Sequence, residues 1–135
     1  MGFIERARGD YAAAREHLER AARLKPNDAG TALLLGEVYL LTHELERAAA
    51  SYQRALRLDP SSTAAQIGLG WSALLAGNTG EAARWWRPVV TRTRDVATLR
   101  RMVDLFGAMG DATAAEQARA ALAGMGRGAP AGGGG

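Results

Sequence analysis

The apolar and small residues of this chain recur in the same order every 34 residues. The repeating columns hold small residues, large residues and prolines: Gly2, Gly36 and Gly70; Ala14, Ala48 and Ala82; Leu18, Tyr52 and Trp86; Pro26 and Pro60. A fourth unit follows after 33 residues, with Val103 and Ala115 in the first two columns. Because several independent columns share one interval, the pattern indicates a structural repeat.

Turn-forming residues between these columns predict where the helices begin and end. Gly9, Gly77 and Gly110 favour the left-handed backbone that ends a helix, and a proline cannot continue one. N-terminal caps are predicted at Asp10, Asp28, Ser61, Asn78 and Asp111. We therefore expect a helical stub at 1–8 and helices at 11–24, 29–41, 44–58, 62–76, 79–91, 95–109 and 112–123.

Two positions depart from the repeat. His43 stands where sister repeats carry glycine, so its φ angle is predicted to be positive, a region in which histidine is somewhat enriched. Pro88 lies inside a predicted helix, where it removes a backbone hydrogen bond and clashes with the preceding turn. A kink or an early helix end is therefore expected near residues 85–90.

The repeat frame predicts one domain and a tail. The repeat domain occupies 1–123, with a partial repeat at 1–28 and repeats at 29–62, 63–95 and 96–123. Residues 124–135 include seven glycines and one proline, which predicts a flexible Gly-rich tail. The first repeat contains only part of its first helix, so we expect a truncated chain or self-association through the N-terminal end, where Phe3, Ile4, Tyr11 and Leu18 would be under-covered.

Composition narrows the class of protein. Apolar residues make up 47% of the chain and aromatic residues only 6%, which favours an all-α fold. The chain has no cysteine, so disulfides and thiolate chemistry are excluded. No apolar run reaches the roughly 18 residues that span a bilayer, and the N-terminus has no apolar signal core. We expect a cytoplasmic protein that does not insert into membranes.

Positive charge is concentrated in one segment. The formal net charge of the chain is +3. Residues 84–101 carry six arginines and a single acid, Asp95: Arg84, Arg87, Arg92, Arg94, Arg100 and Arg101. Such a patch could bind an anion or a nucleic acid, but a solvated face of an Arg-rich protein explains it more simply. We do not expect nucleic acid to be the main partner.

The candidates for chemistry are few. His17 and His43 have no second ligand at helical spacing, so no metal site is predicted. Gly68-Leu69-Gly70 has no preceding strand and indicates close helix packing rather than a nucleotide loop. Because no catalytic constellation is present, we expect no enzymatic activity and no cofactor.

The motifs themselves resemble a known family. Leu35-Gly36-x-x-Tyr39, Ala48-x-x-x-Tyr52 and Pro60 are similar to the tetratricopeptide repeat signature, and Leu69-Gly70 with Ala82-x-x-x-Trp86 matches it again. The resemblance implies an all-α fold of about 3.5 repeats, in which antiparallel helix pairs stack into a right-handed superhelix with a concave groove.

The resemblance also implies a function. Tetratricopeptide repeats act as protein–protein interaction scaffolds, so the chain is expected to bind a peptide or helix of a partner within a multi-protein assembly. The groove would be lined by Phe3, Leu33, Glu37, Leu40, Leu41, Ile67, Trp71, Leu74, Leu75, Arg100, Arg101 and Asp104. The alternatives are an anion- or nucleic-acid-binding helical repeat that uses the arginines at 84–101, and a regulatory segment of a larger protein.

Overall fold

A computed structural model describes residues 2–134, and the side chains of residues 10–125. Over this range the chain forms seven α-helices and one 3-10 turn, with no strand. The helices are α1 (Gly2–Leu24), α2 (Ala29–Leu41), α3 (Leu45–Leu58), α4 (Thr63–Leu75), α5 (Thr79–Trp86), α6 (Val96–Met109) and α7 (Ala112–Gly134); the 3-10 turn is Arg87–Val89. The prediction of an all-α fold is confirmed. None of the helices, over the described residues, is both long and apolar enough to cross a membrane.

The chain divides into two compact units, residues 1–82 and residues 83–135, and the boundary falls within α5. In the first unit α1 contacts α2, α2 packs on α3, α3 packs on α4, and α2 also contacts α4. In the second unit α6 packs on α7. Within each unit short turns join the helices that pack on each other, α1 to α2, α2 to α3, α3 to α4, and α6 to α7, and helices joined in this way run antiparallel, as the repeat predicts.

A tyrosine ring fills the core of the first unit. Tyr52 on α3 is buried, and a Cβ atom built on Gly36 of α2 would lie 2.9 Å from its ring. A Cβ atom on Gly68 of α4 would lie closer still to the same ring. The ring therefore contacts the backbones of two helices at positions where any side chain would collide with it, which confirms the close packing predicted around Gly68.

Most helix ends follow the predicted turn chemistry. The φ angles of Gly77 and Gly110 are +87° and +79°, and that of His43 is +62°, so the left-handed backbone predicted at His43 is confirmed. The carboxylate of Asp28 accepts a hydrogen bond from the Gly30 N–H at 3.3 Å and caps α2. Caps also form at the starts of α5 and α7, where Asn78 and Asp111 accept from Glu81 and Ala114.

The cap of α4 differs from the prediction by one residue. Ser62, and not Ser61, accepts the hydrogen bond from the Ala65 N–H, at 3.1 Å. The Ser61 hydroxyl donates instead to the carboxylate of Asp59. Adjacent serines cannot be distinguished by residue type, so the exact start of the helix decides which one caps it.

Pro88 interrupts the helix where the sequence predicts an interruption. Helix α5 ends at Trp86, and a 3-10 turn at Arg87–Val89 follows with the proline in its first turn. Trp86, Val89 and Val90 are all buried on either side of this break. The predicted early helix end is therefore confirmed, and the irregular segment contributes side chains to the core.

The beginning of the chain differs from the prediction. Helix α1 is continuous from Gly2 to Leu24, so the predicted turn at Gly9 and the predicted cap at Asp10 are wrong. A glycine permits the left-handed turn without requiring it, and within a helix it costs only about 1 kcal/mol relative to alanine.

The last helix, α7, extends past residue 123, the predicted end of the repeat domain. Helix α7 continues through Gly124 and Met125, where the sequence predicts the first residues of a flexible tail. The side chains of residues 126–135 lie outside the described part of the chain. The flexible tail at 124–135 therefore stays a prediction.

Candidate interaction surface

Helix α2 buries one face in the core and presents another to its surroundings. Leu35, Val38 and Tyr39 are buried. Four of the predicted groove residues lie along the other face at spacings of four, three and one: Leu33, Glu37, Leu40 and Leu41. Glu37 and Leu41 are exposed, and Leu33 and Leu40 are half-buried. This spacing places all four on one side of the helix.

Helix α4 repeats this arrangement 34 residues later. Ile67, Trp71, Leu74 and Leu75 occupy the equivalent positions. Leu75 is 46% exposed, and the other three are half-buried. Because α2 contacts α4 within the first unit, the two rows are neighbours. We call the surface formed by these eight residues of α2 and α4 the apolar face.

The apolar face rests on the core of the first unit. Leu33 packs against a buried cluster of Ala32, Ala55 and Ala65, which come from α2, α3 and α4. The same three helices meet around the Tyr52 ring. Leu33 is therefore held against this core, while the side chains of Glu37, Leu41 and Leu75 are exposed.

Glu37 is the only charged residue on the apolar face. Its carboxylate is exposed and has no ion pair within the described part of the chain. Burial raises the pKa of the Tyr52 hydroxyl, and the negative charge of Glu37 raises it further. The face thus combines seven apolar side chains with one uncompensated negative charge.

The other predicted groove residues lie on the second unit. Arg100, Arg101 and Asp104 are exposed on α6, whose opposite side buries Leu99, Met102, Leu105 and Phe106. We call these three residues the charged face of α6. Because they belong to the second unit, the structure presents them as a surface of their own. Phe3 lies outside the residues whose side chains are described.

The remaining arginines of the basic segment are also exposed: Arg84, Arg87, Arg92 and Arg94. Arg87 binds the carboxylate of Asp111 at 2.8 Å, and its guanidinium lies 5.8 Å from the centre of the Phe106 ring. A backbone hydrogen bond from Ala114, together with this arginine, lowers the pKa of Asp111. Arg87 is therefore engaged in holding its own unit together.

Sequence reasoning missed an ion-pair network in the first unit. Arg15 on α1 donates to the carboxylate of Glu44 at 2.6 Å, and the Thr42 hydroxyl lies 2.8 Å from the same oxygen. The hydrogen bonds from Thr42 and Arg15 lower the pKa of Glu44. Nearby, the Tyr39 hydroxyl donates to Glu19 at 2.6 Å. These partners are distant in sequence and recur in no column, so the repeat pattern gives no signal for them.

Metal binding has no support in the described residues. In that part of the chain no three histidine, aspartate or glutamate side chains lie close enough to share a metal ion. His43 is exposed at its turn, and His17 is exposed on α1.

Comparison with known proteins agrees with this architecture. A profile of the tetratricopeptide repeat family matches residues 4–63 and residues 42–88. No curated protein sequence matches the chain.

Solved structures with the same fold include several of MamA. One crystal structure of MamA is 22% identical over 90% of this chain and 70% of its own, with a TM-score of 0.67. A second crystal structure of MamA protein is also 22% identical, over 92% of this chain and 70% of its own, with a TM-score of 0.70. The MamA RS-1 ArsTM double mutant is 16% identical over 95% of this chain and 72% of its own, with a TM-score of 0.74.

At these identities the likeness to MamA shows the fold alone. The family profile covers more than half of the chain, and the repeat columns, helix pairs and helix ends agree with it. The chain belongs to the tetratricopeptide repeat family.

Proposed function

We propose that the chain is a non-catalytic protein-interaction scaffold that binds a helix or an extended peptide segment of a partner protein on its apolar face. The family supports a scaffold role in general terms. The observation that carries the specific site is the pair of neighbouring rows on α2 and α4, whose large apolar side chains are incompletely buried. Contiguous apolar surface of this kind usually marks a partner site.

The chemistry of the face indicates what the partner segment contains. Trp71 is half-buried near the middle of its row, and tryptophan is enriched among residues that dominate binding energy. Apolar side chains of the partner, repeated at helical spacing, would pack against the leucines of the apolar face. A lysine or arginine between those anchors would meet Glu37, since opposite charges at an interface favour correct register and penalise wrong partners.

The charged face of α6 is proposed as a second, separate contact. Arg100 and Arg101 would attract acidic residues of a partner, and Asp104 would restrict which ones fit. Because these side chains are exposed, their contribution should appear mainly in the association rate and in its dependence on salt.

The first test compares two tryptophans. A partner captured by the wild-type chain from source lysate is identified by mass spectrometry, and its affinity is then measured for the Trp71→Ala and Trp85→Ala variants. Trp71→Ala should weaken binding by about 2 kcal/mol or more while the helical circular dichroism stays unchanged. Trp85, which is half-buried on the second unit, is the matched control. Loss of binding only in the Trp85 variant would place the site elsewhere.

Anion or nucleic-acid binding is the second candidate. The second unit carries eight arginines and four acidic residues, a formal net charge of +4, and the six arginines at 84–101 are all exposed. Binding of a single-stranded oligonucleotide that weakens steeply with salt and is lost in an Arg100→Glu, Arg101→Glu variant would favour this function. An oligonucleotide that binds equally well to that variant would count against it.

Self-association through the N-terminal end and a cytoplasmic location stay predictions. Tyr11 and Leu18 on α1 are only half-buried, which leaves apolar surface at this end of the first unit. Light scattering across a range of protein concentrations would detect self-association, and a constant monomer mass would exclude it at those concentrations.

A further inference from the structure

A second concave feature lies elsewhere on the first unit, between the end of α1, the start of α2 and the outer side of α3. This cleft has a volume of about 260 Å³. Its floor is formed by the buried residues Thr31, Ala32 and Leu35 of α2. Its rim carries Lys25, Arg54 and Arg57. We call it the basic cleft, and it shares no residue with the apolar face.

The positive charge of the basic cleft is only partly neutralised by the one acid of its lining, Asp28, whose pKa is lowered mainly by its hydrogen bond from Thr31 and also by the charge of Lys25. Lys25 and Arg57 are exposed and have no ion pair within the described part of the chain. Asp28 is the one acid of the lining, and its carboxylate is already occupied as the cap of α2: it accepts from the Thr31 hydroxyl at 2.6 Å and from the Gly30 N–H. The lining therefore keeps an excess of two positive charges.

One of the arginines is held in place. Arg54 donates from both Nε and Nη2 to the backbone carbonyl of Pro26, which precedes the cleft floor in the chain. This carbonyl fixes the plane of the guanidinium without cancelling its charge. The Nη1 group has no acceptor in the described residues and is free to donate to a ligand. A pre-oriented guanidinium loses less entropy when it binds an oxyanion.

The remaining lining limits the size and shape of the ligand. Ala22, Ala32, Ala50 and Leu35 offer only small aliphatic surface, and no aromatic side chain is available to stack on a nucleobase. The Ser51 hydroxyl adds one further polar group. A small dianionic group on a short aliphatic arm satisfies both the charge and the space.

We propose that the basic cleft binds a phosphate monoester, with Arg54, Arg57 and Lys25 as its ligands. A phosphate monoester carries about −1.5 to −2 charges at pH 7 and three acceptor oxygens, and arginine binds such groups through parallel hydrogen bonds. The group could belong to a phosphorylated serine or threonine of a protein or to a small phosphorylated metabolite. Both sources present the same chemistry to the cleft.

Calorimetric titration of the full chain tests the site. The probes are O-phosphoserine, a capped peptide with a central phosphoserine, and the same peptide without the phosphate. The two phosphorylated probes should bind and the unphosphorylated peptide should not. Tighter binding of the phosphopeptide than of O-phosphoserine would identify a protein source, and equal binding would identify a small metabolite.

Two variants distinguish binding in the basic cleft from non-specific electrostatic attraction to the positively charged surface. Arg57→Ala should weaken binding of the phosphopeptide about tenfold or more, because a hydrogen-bonded charge contact is lost. Arg20→Ala removes an exposed arginine of α1 outside the cleft and should leave the affinity unchanged. No binding at millimolar concentration, equal loss in both variants, or equal competition by a single-stranded oligonucleotide at matched phosphate concentration would overturn the proposal.

Discussion

One close packing contact in the first unit depends on three single residues. The ring of Tyr52 lies against the backbones of α2 and α4, at Gly36 and Gly68. A glycine inside a helix costs about 1 kcal/mol relative to alanine. Both glycines therefore weaken their own helices, and this loss is offset by the close approach that they allow.

Gly68→Ala should destabilise the protein. The new methyl group would collide with the buried Tyr52 ring, and overpacking of this kind typically costs about 1–3 kcal/mol, more than the gain in helix propensity. Gly107→Ala is the matched control, because a Cβ atom there meets nothing within 4 Å and should stabilise α6 by up to about 1 kcal/mol. Urea unfolding measures both. A Gly68→Ala variant as stable as the control would mean that the ring moves aside easily.

His43 shows that a repeat alignment can predict a backbone angle. Its φ of +62° follows from the glycines at the equivalent turns, Gly77 and Gly110. His43→Gly should be neutral or slightly stabilising, because glycine adopts this backbone without steric cost. His43→Val should be clearly destabilising, since a β-branched side chain does not fit there. Thermal melts of the two variants would contradict this account if they coincided.

At the scale of helices, sequence reasoning succeeds where a residue has one conformational preference. Pro88 cannot continue a helix, and α5 ends at Trp86 before it. It fails where a residue only permits a turn, as at Gly9, which lies within the continuous α1. It also cannot choose between neighbours of the same type, as at Ser61 and Ser62.

Ser62→Ala should remove the N-cap of α4. The hydroxyl satisfies the Ala65 N–H, and loss of such a cap typically costs about 1 kcal/mol. Ser61→Ala is the control, because its hydroxyl bonds only to the exposed Asp59 carboxylate and should matter little. If denaturant unfolding showed the larger loss for Ser61→Ala, the assignment of the cap would be wrong.

The Glu44 network joins α1 to the start of α3 and should make stability depend on pH. The pKa of Glu44 is lowered in the folded chain from its ordinary value of 4.5. The network therefore stabilises the fold fully above about pH 4.5, and this contribution is lost as the pH falls through the lowered pKa.

Comparison of melting temperatures at pH 7 and pH 3 tests this dependence. Glu44→Gln should melt below the wild type at pH 7, and the difference should shrink at pH 3, because a lower pH moves the wild-type carboxylate towards its protonated form. Glu16→Gln changes an exposed carboxylate of α1 and is the control. A Glu44→Gln deficit of the same size at both pH values would show that shape, and not charge, holds this contact.

At the scale of the whole molecule, the 34-residue columns are enough to predict the family and the helix pairs. The rows of the apolar face follow from the resemblance to that family, and their role in binding stays a prediction. The half-burial of Leu33, Leu40 and Trp71 could not be predicted, because it depends on how closely neighbouring helices pack. The basic cleft was also missed, since Lys25 meets Arg54 and Arg57 of α3 only when α1, α2 and α3 are assembled.

The division into two units has a consequence for local stability. In repeat proteins each helix is stabilised mainly by its neighbours. The loss of stability caused by a substitution should therefore be confined to the unit that contains it. Gly68→Ala should speed amide hydrogen exchange in α2, α3 and α4, while amides in α6 stay close to wild-type rates. Equal acceleration in α6 would show that the chain unfolds as one cooperative body.

The contact between Tyr52, Gly36 and Gly68 also limits how such a protein could be rearranged. The ring belongs to one repeat, and the two glycines that receive it belong to that repeat and to the next. If this helix pair were moved to another repeat protein, or duplicated within this one, it would carry Tyr52 and Gly36 but not the glycine of the following repeat. Any working duplication of this repeat must therefore bring a glycine to the receiving position of the following helix, so these distant positions would be inherited together rather than one at a time.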